Sequence, residues 1–84
     1  MKDVKKFLAQ LSKELPRSED FDIEARQILD DLHKDVDKFE ESGDKQIEPT
    51  LGRVRELEAR FASKHPALER IIRELADALA KMGI

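Results

Sequence analysis

Apolar residues recur along this chain at steps of three and four, and the places where that rhythm stops mark its segments. Val4, Leu8, Leu11 and Leu15 form the first stripe, with Phe7 beside it. Such spacing lines up side chains on one face of an α-helix. Pro16 has no backbone N–H to donate and disfavours helical geometry at the residue before it, so the pattern predicts a first helix over about 2–15. The stretch PRSEDFD reads as a turn and a capping region. Ser18, Asp20 and Asp22 are each able to cap there, and the acidic cluster suits the positive end of a helix dipole. Ala25, Leu29, Leu32, Val36 and Phe39, widened by Ile28, then predict a second helix over about 20–42. ESGD stops it, with Gly43 free to take the left-handed conformation common just past a helix.

Beyond the loop DKQIEPT, Leu51, Val54, Leu57 and Phe61 begin a stripe that continues across His65 to Leu68, Ile72, Leu75, Leu79 and Met82. Pro49 suits a first helical turn, whereas Gly52 weakens that start. Pro66 interrupts the stripe. Inside a helix its ring removes one hydrogen bond and crowds the preceding turn, at about 3 kcal/mol. Two helices are therefore expected, over about 49–63 and 66–82, or one helix kinked at the proline. The apolar phase survives Pro66, so the two pieces are expected to be nearly collinear, with a break around 63–65. His65 stands on the stripe directly before Pro66, where it serves either as a helix cap or as a polar residue that fixes register. Ile84, after Gly83, is placed to fold back over Met82.

At 1.5 Å per residue, 49–82 as one rod would extend roughly 50 Å, and the second helix about 35 Å. A stripe running to Met82 then outreaches the cover that one short hairpin provides. The expectation is a single all-α domain over 1–84, a three- to four-helix antiparallel bundle or helical hairpin with coiled-coil-like packing. Phe61, Leu68, Ile72, Leu75, Leu79 and Met82 are expected to form a self-association seam, most simply in a homodimer with a four-helix core, or to receive another helical protein.

Composition narrows the class without naming a function. Charged residues are 42% of the chain, and Trp and Tyr are absent, a mix that favours long helices over strands. A chain of 84 residues buries a modest share of its surface, so its stability as a monomer is marginal. Without cysteine there is neither a disulfide nor a thiolate metal site. No stretch approaches the roughly 18 apolar residues of a membrane span, and MKDVKKFLAQLSKEL lacks the apolar run of a secretory signal, so a cytoplasmic location is expected. The net charge of −3 conceals an uneven distribution. Residues 1–17 carry five basic against two acidic side chains, residues 18–46 four against eleven, and residues 47–84 seven against six. An acidic middle and a basic start do not make the coherent basic face that nucleic acid requires, but they suit antiparallel helices whose flanks complement one another.

Candidate chemistry is sparse. His33, with Asp30 three residues before and Asp37 four after, shares a helix face that could hold a divalent metal. Ordinary surface charge pairing accounts for the same spacing, and no metal or other cofactor is expected. DVDKFEESGDKQ fails as a calcium loop: counted from Asp35, the sixth position is Glu40 instead of Gly and the twelfth is Gln46 instead of Glu. The three glycines are isolated, so no phosphate-cradling loop is present, and no nucleophile elbow appears. Catalysis is not expected. The alternative to an assembly module is an accessory protein that binds a membrane surface or nucleic acid through Lys2, Lys5 and Lys6 and the Arg53–Arg60 region. Interspersed Glu56 and Glu58, like Glu69 and Glu74 among Arg70 and Arg73, fit a salt-bridged exposed face better.

The ending RFASKHPALERIIRELADALAKMGI resembles that of a family of short uncharacterised bacterial proteins, known as a domain of unknown function, which close on a pattern near F-E-x-x-H-P-x-L … L-x-D-x-L-x-x-M-G-I. Phe61, His65, Pro66, Leu68, Leu75, Asp77, Leu79, Met82, Gly83 and Ile84 match it, and Ala62 stands where that pattern has glutamate. The resemblance implies a small, helical, cytoplasmic protein. It supplies no activity, substrate or catalytic residue.

Overall fold

A computed structural model describes residues 2–43 and 47–82. Helix α1 spans Lys2–Glu14 and tightens into one 3₁₀ turn at Leu15–Arg17, as Pro16 requires. Helix α2 runs Ile23–Ser42. Of the three capping candidates, Asp22 takes the position: its Oδ1 accepts from the Ala25 amide at 2.9 Å. Gly43 ends α2 at φ 70°, the left-handed geometry its lack of a Cβ permits. Helix α3 covers Ile47–Phe61, and α4 covers Pro66–Met82. Residues 44–46 of the expected loop, and the packing of Ile84 over Met82, lie outside the described residues.

Helix α3 begins two residues earlier than the sequence pattern predicts. Ile47 is buried and contributes to the core, while Pro49 occupies the third helical position, where a missing N–H removes no intrahelical bond.

Cross-helix partners define the topology. Lys5 pairs with Glu40 and Ser12 with His33, so α1 and α2 run antiparallel. Asp35 meets Arg53 and Glu24 meets Arg60, which sets α2 against α3 in the same sense. Glu58 lies 3.9 Å from Arg73 across α3 and α4. Val4 lies beside Ala78, and Gln10 beside Ala67 and Ile71, so α4 also runs antiparallel to α1. The four helices form an up-down-up-down ring measuring 35 × 21 × 19 Å.

The Glu58–Arg73 approach corrects the expectation of collinear third and fourth helices. Fifteen residues along one straight helix would separate those side chains by about 22 Å. The chain instead reverses over Ala62–His65, with the Lys64 and His65 amides both donating to the Phe61 carbonyl. Apolar phase carries no information about direction here: a hairpin with a short turn keeps both stripes facing one core just as a kinked rod would.

The reversal also supplies the missing cover. Leu68 is 6% exposed, Ile72 0%, Leu75 1% and Leu79 0%, while Phe61 is 1% exposed in the single chain. Met82 is half-buried against the same cluster. Val4, Leu8, Leu11 and Leu15 come from α1 and its 3₁₀ turn, Leu29, Leu32 and Val36 from α2, and Val54 and Leu57 from α3. The expectation that this stripe needs a second copy to cover it is therefore corrected, because one chain closes a four-helix core on its own. Each fully buried Leu or Phe contributes about 1.5–3 kcal/mol to that closure.

Candidate functional site

One end of the bundle brings together two turns distant in sequence. His65 occupies the N-cap position of α4: its carbonyl accepts from the Glu69 amide at 2.9 Å, and Pro66 follows as the first helical residue. Its ring reaches away from α4 to the turn between α1 and α2. Nε2 lies 2.8 Å from Asp20 Oδ2 and 3.2 Å from Ser18 Oγ, and the Asp20 amide donates to Ser18 Oγ at 3.1 Å. The ring also stacks at a tilt on Phe61, with 5.8 Å between centroids. His65 is thus a clasp between two turns, and the sequence offers its partners Ser18 and Asp20 only as capping candidates.

The residue types are those of a hydrolytic triad, but the arrangement is different. In such a relay the serine and the carboxylate address opposite nitrogens of the imidazole. Here both approach Nε2. A carboxylate only accepts hydrogen bonds, so Nε2 carries the proton and donates it, and that nitrogen cannot take a proton from Ser18. The hydrogen bond from His65 holds the Asp20 carboxyl below its ordinary value, aided by the nearby charge of Lys64 and opposed by desolvation.

Beside this clasp an open groove runs between the C-terminal half of α1 and the N-terminal half of α4. Its larger part encloses about 700 Å³ and its neighbour about 370 Å³; both are bordered by Gln10, Ala67 and Ile71. Leu68 and Ile71 supply an apolar floor, with Ile71 half-buried. Six charged side chains stand around it in equal numbers of each sign: Lys13, Arg17 and Arg70 against Glu14, Glu19 and Glu74. The sequence held a signal for this floor. In the pair Ile71–Ile72, only Ile72 fits the three-four rhythm, so Ile71 must lie on a flank. A second apolar departure, Ile23, is 85% exposed at the start of α2, off the phase set by Ala25 and Leu29.

The basic residues singled out from the sequence are not gathered on one face. Lys5 pairs with Glu40, Arg53 with Asp35 and, at 4.0 Å, with Asp31. Arg60 engages Glu24 and, at 3.8 Å, Asp22; the hydrogen bond to Glu24 holds its pKa further above the usual arginine value. His33 is exposed and bonded to Ser12 Oγ at 2.6 Å. Among the described residues no group of three or more His, Asp or Glu is arranged to hold a metal ion, and no helix is long and apolar enough to cross a membrane.

The fold and this surface define a small antiparallel four-helix bundle with an open, charge-balanced groove between α1 and α4. The model of the family described as Domain of unknown function (DUF4404) matches residues 4–84, nearly the whole chain, and the chain belongs to that family. No curated protein and no solved structure gives a significant match.

Proposed function

We propose that this chain is a small helical interaction module that associates with a second copy of itself through the face formed by α1 and α4. The observation that carries this reading is the groove over Leu68 and Ile71, with its balanced rim of three basic and three acidic side chains. A patch holding both signs can pair with its own copy under a two-fold rotation when unlike groups fall opposite one another, whereas a patch of one sign would repel its copy. The bundle as a whole measures 35 × 21 × 19 Å, so an interface of the roughly 800 Å² per partner buried in standard complexes would take up most of one flank. The residues of the Phe61–Leu79 stripe are inside the core, so in this reading they hold the module together and Leu68 alone also reaches the groove.

Sedimentation velocity on wild type and Ile71→Glu tests the reading. Wild type is expected at twice the chain mass and Ile71→Glu at the chain mass, with equal helical circular dichroism. A monomeric wild type at high micromolar concentration would refute it.

A further inference from the structure

We infer that the two copies meet with their α4 helices antiparallel about a two-fold axis near residue 72, so that Arg70 of each copy faces Glu74 of the other. This rests on the self-association reading above and fixes its register.

Ala67, Arg70, Ile71 and Glu74 stand at the i, i+3, i+4, i+7 spacing of one helix face, and all four border the same depression. None of them belongs to the buried stripe of Leu68, Ile72, Leu75 and Leu79, of which only Leu68 also reaches the groove floor. In an antiparallel pair of α4 helices, residues whose numbers are symmetric about 72 lie opposite one another. Arg70 then meets Glu74 of the second copy, and the contact occurs twice because the interface is isologous.

Within one chain Arg70 and Glu74 already approach to 3.5 Å, but Arg70 is 82% exposed and the pair is an ordinary i,i+4 surface bridge. Such pairs contribute little, so exchanging the partner for the same group on another copy costs little. The exchange adds burial. The aliphatic stem of Arg70 can lie along the apolar floor of the opposing groove while its guanidinium reaches the opposing carboxylate. Ile71 sits close to the axis, where the two floors come together.

Charge swaps read the register directly. Arg70→Glu places two carboxylates opposite each other in both symmetric contacts, and Glu74→Arg does the same with two cations. Each single variant is expected to keep wild-type helicity and to dissociate, with association weakened roughly a hundredfold or more. Mixing the two restores a heterodimer, because both carboxylates of the Arg70→Glu copy then face the two guanidinium groups of the Glu74→Arg copy. The double variant Arg70→Glu with Glu74→Arg associates by itself. Sedimentation velocity and native mass spectrometry of the mixture give the readout. If wild type is dimeric and both single variants remain dimeric, or if mixing restores nothing, the register is overturned while self-association stands. If wild type is monomeric, both fall together.

Discussion

Two seams of the bundle solve the same packing problem differently. Between α2 and α3, Asp35 accepts from Thr50 and from Arg53, and Arg60 reaches both Asp22 and Glu24. Between α1 and α4 the helices approach more closely, and among the described residues no salt bridge crosses from one to the other. The first seam ties its flanking charges into intramolecular pairs. The second is closed by apolar contact and leaves Lys13, Arg17, Arg70 and Glu74 on an outer rim. The difference locates what the molecule has available for a partner. Charged side chains that already stitch helices together cannot be withdrawn without loosening the fold, whereas those around the α1–α4 groove can.

The largest effect is expected from damage to the core that both seams share. Ile72→Glu with Leu79→Glu places two carboxylates at positions that are 0% exposed, within the apolar core. The expected outcome is complete loss of the helical circular dichroism signal at room temperature, because burying an unpaired charge exceeds the stability of so small a domain. Retained helicity would show that the stripe is not inside one chain. Leu75→Ala is the graded version, with an expected loss of about 2–5 kcal/mol in urea unfolding.

The seams themselves separate next. Asp35→Ala removes the acceptor of the Thr50 hydroxyl, a group 1% exposed, and leaves Arg53 without its closest carboxylate. A buried donor without a partner costs about 1–3 kcal/mol. Arg70→Ala removes one exposed surface bridge and is expected to change monomer stability by less than about 0.5 kcal/mol. If urea titration gave the two variants equal losses, the division between an internally tied seam and an available one would fail.

Much of this architecture is legible in the residue pattern, and the errors have physical causes. The stripe from Val4 to Leu15, the stop at Gly43 and the break before Pro66 all follow from local rules of helix geometry, whereas the same rules leave Ser18, Asp20 and Asp22 equally open as the cap of α2. Those rules are local, so they say where helices begin and end. The direction of α4 depends instead on a turn of four residues, and three-four periodicity is blind to that choice. One misjudged turn converts a closed core into an uncovered seam and makes core residues read as a contact surface. The His65 clasp is hidden for a related reason. Ser18 and Asp20 are remote from His65 in sequence, and their use depends on both turns falling at the same end of the ring.

The smallest effect expected is at that clasp, and its sign follows from Asp20. The carboxyl is held below its ordinary value of 3.8 in the folded chain, principally by the hydrogen bond from His65. A group whose folded-state pKa is depressed contributes stability that is fully present above the unfolded value and is lost as pH falls through the folded one. Asp20→Asn keeps the shape and removes the charge. The share of stability that comes from the ionisation of Asp20, read as the difference between wild type and Asp20→Asn, is therefore expected to shrink below about pH 4. Urea midpoints measured across pH 2.5–7 would trace it. In a His65→Ala background the same difference should be small at every pH, because the donor that lowers Asp20 is gone. A difference that survives His65→Ala unchanged would mean that Asp20 is held by something other than the clasp.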